Sequence, residues 1–194
     1  MTSGCKSVSK FAIDQEPKIE IDTNFLGIWK AVEDTDKANF ILVQSKIDLY
    51  KTFIDVYNNM DSIYKDSSTY AECIDDLEKR NANLFYFSYM NRHGLNALYQ
   101  QWDAFVSEIK NVKFINISYW HHSYFYLRII DLNPDSMTTA LVADTTLQYL
   151  KSSKQLRSRI GKNLNNPEFY SDTLHFYKVN SYHESLNESI QKAN

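Results

Sequence analysis

The chain has 194 residues, of which 43% are hydrophobic and 14% aromatic, and its net charge is −3. A chain of this length forms one domain and buries about 70% of its unfolded surface, enough for a core without disulfides. Its two cysteines exclude a disulfide scaffold or a Cys-rich zinc module. The near-neutral charge disfavours a nucleic-acid binder. The sequence has no run of 18 apolar residues, which excludes a membrane-spanning helix. Its four glycines disfavour a glycine-rich nucleotide-binding fold.

The first residues bear on location. Ser3-Gly4-Cys5 resembles the end of a bacterial lipoprotein signal, in which small residues precede the cysteine that is lipidated. The resemblance implies a lipid anchor on Cys5, a place in the cell envelope and a membrane partner. Lys6, in place of an acidic residue, favours the periplasmic face over the cell surface. The polar composition of residues 1–22 predicts a flexible tether. The alternative is an ordinary exposed thiol at Cys5.

Strand signals come next, followed by a change of periodicity. Residues 25–32 and 39–44 are rich in strand formers, and the turn-like segment 34–37 between them predicts a hairpin. Within residues 47–80 the apolar side chains recur at helical spacing, with charged residues in the gaps. We expect this segment to be a helical insertion of one or two short amphipathic helices.

Five further strands are predicted after residue 84, joined mostly by short turns. Lys110-Asn111 suits a two-residue hairpin turn, and the sequence Leu132-Asn133-Pro134-Asp135 also predicts a turn. Short connections favour antiparallel neighbours. The predicted strands are residues 84–90, 103–109, 112–120, 123–131 and 137–143.

Two helices are predicted in the last third of the chain. Thr145 with Gln148, and Ser152 with Gln155, have the spacing of a capping box, which predicts helices over 146–151 and 153–164. A final strand is expected over 173–179, followed by a polar tail over 181–194.

This order of elements predicts a mainly β protein with helices (α+β), folded as an antiparallel up-and-down β-barrel within a single domain, residues 23–180. Closing the sheet removes exposed strand edges. A barrel of seven or eight strands either fills its interior with side chains or holds one small ligand.

Gly27-Ile28-Trp29, in the first strand, matches the Gly-x-Trp signature of lipocalins and related calycins. The chain is therefore similar to a lipocalin-like bacterial lipoprotein of Bacteroidota, a resemblance that spans roughly residues 24–180. It implies that Trp29 plugs the closed end of the barrel and that a cation from a late strand, Arg128 or Lys178, packs over it.

Signals for catalysis are weak. His121 and His122 are neighbours and would point to opposite faces of a strand, which disfavours a shared metal ion. The sequence contains no Gly-x-Ser-x-Gly elbow, phosphate loop or dinucleotide fingerprint. We therefore predict no catalytic residue, no metal and no cofactor.

Aromatic side chains supply the candidate ligand site. Alternation along the strands predicts shared faces, and the candidate barrel lining is Phe85, Phe87, Tyr89, Phe114, Tyr124 and Tyr126. If these faces point inward, they suit a small apolar or amphipathic ligand. Two alternatives stay open: a filled core, and Tyr-rich outer faces that dock another protein. The predicted function is thus ligand binding without catalysis, or an interaction or structural module of the envelope.

Overall fold

The computed structural model describes residues 8–32, 38–59, 70–71, 74–75, 83–93, 96–119 and 123–179. Its strands form a closed antiparallel barrel in which the order of the strands follows the chain. The strands are β1 (Gly27–Ala31), β2 (Ala38–Ser45), β3 (Phe85–His93), β4 (Asn96–Ile109), β5 (Val112–Tyr119), β6 (Ser123–Leu132), β7 (Ser136–Val142) and β8 (Tyr170–Val179).

Closure comes from pairing of the first strand with the last. In β1, Ile28 pairs with Val179 and Trp29 with Lys178. The described strands therefore have no unpaired edge, which is the state that resists edge-to-edge aggregation. The prediction of a mainly β, antiparallel up-and-down barrel is confirmed.

The β4–β5 hairpin turns on two residues. Lys110 and Asn111 have φ values of 51° and 66°, and the flanking residues Ile109 and Val112 pair directly. Positive φ at both central residues defines the turn that matches the twist of a β-hairpin, and asparagine tolerates this conformation well. The predicted two-residue turn is confirmed.

Two α-helices with described bounds are inserted between strands, and residues 70–71 and 74–75 are helical as well. Helix α1 (Lys46–Asn59) follows β2 without a break, and helix α2 (Ser153–Lys162) lies between β7 and β8. Ser152 caps α2, because its hydroxyl accepts from the amide of Gln155. Much of the predicted insertion after residue 59 lies outside the described residues.

The predicted helix over 146–151 is instead a 3-10 turn, Thr145–Tyr149. Its cap is Asp144 rather than Thr145, since the Asp144 carboxylate accepts from the backbone and the hydroxyl of Thr146. Partial burial of Asp144 opposes ionisation, but hydrogen bonds from Arg159 and Thr146 hold the pKa of its carboxyl below the usual value.

Apolar side chains form two separate clusters, one on each face of the barrel wall. The inner cluster draws on all eight strands and includes Trp29, Phe85 and Ile115. The outer cluster joins Phe114 and Tyr126 to apolar side chains of α2 and of the segment before β1. Strand β5 serves both clusters, so that four consecutive residues, Phe114 to Ile117, are buried.

The segment over residues 8–22 corrects the prediction of a flexible tether. Ser9 pairs with Tyr124 and Ile19 with Val106 as isolated bridges, and Ile13 is buried in the outer cluster. We call residues 8–22 the strap, because its first part crosses the outside of the barrel, whereas Ile19 and Ile21 pack against the inner cluster. Cys5 and the polar tail over 181–194 lie outside the described residues.

One buried asparagine fastens the strap to the wall. Asn116 Oδ1 accepts from the backbone amide of Ile13 at 2.8 Å, and its Nδ2 donates to Ser107 Oγ at 2.8 Å. Asn116 and Ser107 are both fully buried. A buried polar group left without a partner costs roughly 1–3 kcal/mol, so this network fixes the strap.

The change Asn116→Ala tests this role. It removes the acceptor of the Ile13 amide, and we expect the free energy of unfolding to fall by about 1–3 kcal/mol in urea titrations. Proteolysis within the strap should also become faster. Asn165→Ala, at an exposed turn position, is the matched control. A loss similar to that of the control would contradict the proposed attachment.

Candidate functional site

The interior of the barrel is filled at the end where β1 begins. Phe25, in the 3-10 turn Thr23–Phe25, meets Phe85 edge-to-face with ring centroids 5.4 Å apart. Trp29 is fully buried, and its indole Nε1 donates to the carbonyl of Phe25 at 2.9 Å. The cavity beside Phe25 measures about 10 Å³, room for no more than one water. We call this the closed end.

A lysine lies over the tryptophan at the closed end. Lys178 Nζ is 5.1 Å from the centroid of a Trp29 ring and donates to the carbonyl of Asn24 at 3.1 Å. A cation in this position contributes about 1 kcal/mol through the ring quadrupole. Of the two cations that the sequence offers for this position, the structure places Lys178 there.

Backbone conformation and steric contacts explain why a glycine occupies the first position of the Gly-x-Trp sequence. Gly27 has a φ of 131°, a conformation that side chains of L-residues rarely adopt. A Cβ at this position would lie 2.6 Å from Lys178 Cε. The glycine is therefore required by its own backbone, and a side chain there would push the end of Lys178 away from its place over Trp29.

Arg128 lies elsewhere, on the outer face of β6. Its guanidinium carbon is 5.0 Å from the centroid of the Tyr170 ring, and Nη1 donates to the carbonyl of Leu164 at 2.8 Å. Burial raises the pKa of the Tyr170 hydroxyl, an effect that Arg128 partly offsets. Arg128 therefore holds the loop after α2 and takes no part in plugging the barrel.

The six aromatic residues predicted to line one pocket are divided between the two faces. Phe85 and Phe87 belong to the inner cluster, and Tyr89 shares their face by strand alternation.

Phe114, Tyr124 and Tyr126 pack instead in the outer cluster, so the prediction that all six line the barrel is wrong for these three. Burial raises the pKa of the Tyr126 hydroxyl beyond its usual range, which keeps it a neutral donor to the carbonyl of Phe11. Covering by the strap and α2, rather than the barrel interior, accounts for the burial of these three rings.

A second interior aromatic group lies at the other end of the barrel, where β5 ends and β6 begins. The centroids of Trp102 and Phe125 are 5.8 Å apart, and Tyr119 is 6.2 Å from Trp102 and 6.1 Å from Phe125. All three side chains are only partly buried. We call Trp102, Tyr119 and Phe125 the aromatic end.

Sequence reasoning did not select these three residues. The predicted strand began at residue 103, whereas β4 begins at Asn96, so Trp102 was left out of the strand. Tyr119 alternates with Ile115 and Ile117, and Phe125 alternates with Leu127, all of them interior. The alternation of side chains along β5 and β6 would therefore have identified Tyr119 and Phe125, provided that the interior face of each strand was known.

Comparison with protein-family models, with curated proteins and with solved structures finds no match to this chain. Within the described ranges, no three or more His, Cys, Asp or Glu side chains are grouped so that they could hold a metal ion. No helix there has the length and hydropathy to cross a membrane. His121, His122 and Cys73 lie outside the described residues.

Trp29 and Lys178 allow the closed end to be tested. Trp29→Ala should lower the free energy of unfolding by about 3–5 kcal/mol, because it removes a large, fully buried ring. Lys178→Met keeps the aliphatic stem and should cost about 1 kcal/mol through loss of the cation over the ring. Urea titrations measure both.

Lys154→Met is the control, since Lys154 is exposed on α2 and should change stability little. Loss of less than about 1 kcal/mol in Trp29→Ala, well below the range for a buried aromatic, would contradict the role of Trp29 as a plug.

Proposed function

We propose that this protein is a lipocalin-like lipoprotein of the cell envelope that binds a small apolar or amphipathic ligand at the aromatic end of its barrel, without catalysis. The observation that carries the proposal is the contact of Trp102, Tyr119 and Phe125, which face the interior yet stay partly exposed. Interior aromatic groups with access to solvent are typical of ligand sites.

The contrast between the two ends supports this position for the ligand. At the closed end Phe25, Trp29 and Phe85 fill the interior. Away from it, Leu174 on β8 is 41% exposed, although it alternates with the buried Phe176. Complete burial of an aromatic or leucine side chain is favourable by roughly 1.5–3 kcal/mol. A ligand that covers the aromatic end would gain part of this free energy on binding.

A polar contact is available on the same wall. Thr139 is buried, alternates with Met137 of the inner cluster and pairs with Ile129. Its hydroxyl has no hydrogen-bond partner among the described residues. This hydroxyl could bond the polar group of an amphipathic ligand, which supports that class over a pure hydrocarbon.

A second candidate function is an interaction module of the envelope, and helix α1 favours it. Leu49, Phe53 and Val56 are exposed at the spacing i, i+4, i+7, which puts them on one side of the helix. An exposed apolar stripe of this kind suits a protein partner. In that case the barrel would serve as a scaffold, and its interior would bind nothing.

The envelope location rests on the sequence at Cys5. To test it, the chain is expressed behind a bacterial lipoprotein signal with a radiolabelled lipid precursor. We expect label in the protein and none in Cys5→Ser. Equal or absent labelling of both would contradict the anchor while leaving the ligand proposal untouched.

Ligand binding is tested with cis-parinaric acid, an amphipathic fatty acid that fluoresces on binding. We expect saturable binding by the protein and an affinity at least about tenfold lower for Trp102→Ala, because a large part of the apolar contact is removed. Phe125→Leu, a milder change, should weaken binding less.

Tyr149→Ala is the matched control, because Tyr149 is an aromatic residue 75% exposed on the outside of the barrel. Its affinity should equal that of the unchanged protein. Urea titrations show whether each variant is folded. Absence of saturable binding by the unchanged protein, or the same affinity in Trp102→Ala, would refute the proposal and leave the interaction module.

A further inference from the structure

Helix α2 and the β4–β5 turn enclose a shallow groove of about 520 Å³ on the outer surface. Ile109 and Gly161 contribute the uncharged part of its lining, beside Ser158. The other lining residues are cations: Lys110, Lys154, Arg157 and Lys162. We call these four residues with Lys151 the basic face.

The charge of this region differs from that of the whole chain. Residues 145–166 contain five cations and no acidic residue, whereas the chain has a net charge of −3. Leu156 and Ile160 turn the apolar side of α2 toward the barrel, so the cations occupy the outward side. The positive charge is therefore a local excess on a protein that is otherwise acidic.

Two arginines of α2 are already neutralised. Arg157 donates to Asp14 at 2.6 Å, and Arg159 donates to Asp144 at 2.7 Å. Lys110 Nζ has one bond, to the carbonyl of Gly161 at 3.2 Å, and keeps donors to spare. Lys154 and Lys162 are exposed, and their ammonium groups have no hydrogen bond or ion pair with any other residue that the structure describes.

Helix stability does not account for Lys154. It occupies the first turn of α2, which has no acidic residue. The macrodipole makes this the unfavourable end for a cation. Lys162, in the last turn, is favoured by the same dipole. Lys154 therefore lies beside a groove of like charge at a position that the helix dipole does not favour.

We propose that the basic face docks on an anionic lipid surface. Lys154 and Lys162 are separated by eight residues of helix, about 12 Å along its axis, so the charges form a row rather than a cup around one small anion. Lysines on flexible stems suit a laterally extended surface, and each contributes favourably near anionic lipid. Tyr149, 75% exposed just before α2, is a residue type enriched at membrane interfaces.

The strap leads to the same side of the barrel. Ser9 pairs with Tyr124, and Asp14 bonds Arg157 of α2. The described chain therefore begins on the outer cluster that α2 covers. A lipid on Cys5 would add a second contact with the membrane, independent of the basic face. Docking nevertheless needs no anchor, and it is testable on the chain without lipid.

The experiment measures co-sedimentation of the unlipidated full chain with phosphatidylcholine vesicles, with and without phosphatidylglycerol. We expect binding only to the anionic vesicles, weakening as salt rises. The double variant Lys154→Glu with Lys162→Glu should reduce partitioning by about thirty-fold or more. Lys18→Glu with Lys51→Glu changes net charge equally at two other exposed lysines and should reduce it far less.

Three results would overturn the proposal: equal binding to both kinds of vesicle, equal loss in both double variants, or no binding by the unchanged protein. In a last experiment, inorganic phosphate is added to the vesicle-bound protein at constant ionic strength. If it releases the protein stoichiometrically from vesicles, the groove is a site for a small soluble anion, and the lipid proposal is wrong. Urea titrations of both double variants establish that each is folded.

Discussion

The barrel wall is apolar on both faces along β5, and this constraint shapes the rest of the molecule. Phe114 and Ile115 point to opposite sides, yet both are fully buried. Closing the barrel hides only one of these faces. The other needs a second layer, which the strap and α2 provide through the outer cluster. Because the strap has few residues to bury, the hydrogen bond from the Ile13 amide to Asn116 becomes part of what holds it.

The same division explains how the aromatic residues are used. Those at the closed end, such as Trp29, are packed without room for a ligand, and those of the outer cluster, such as Tyr126, hold the covering layer. The rings of the aromatic end, in contrast, lie on the interior face and stay partly exposed. High aromatic content thus serves three purposes in one small barrel, and only one of them suits binding.

Much of the fold is readable from the sequence because strand alternation and turn chemistry are local. All the predicted strands overlap observed ones, and Lys110-Asn111 turns as its residue types indicate. Two of the mispredictions concern contacts between residues far apart in the chain. The polar strap is held by contacts over a hundred positions apart, such as Ile13 with Asn116. Phe114 and Tyr126 lie on the outer face of the barrel, which α2 covers. The sequence of a strand that is apolar on both faces does not show which face points inward.

The strap also couples regions that would otherwise be independent. It begins beside Tyr124, bonds Arg157 of α2 through Asp14, and ends at the turn that inserts Phe25 into the closed end. One continuous segment therefore contacts both the basic face and the closed end. The same segment starts at the aromatic end, because Ser9 pairs with Tyr124, the neighbour of Phe125. Loosening the strap should thus disturb the basic face and the closed end together, and it also removes the pairing of Ser9 with Tyr124 beside Phe125.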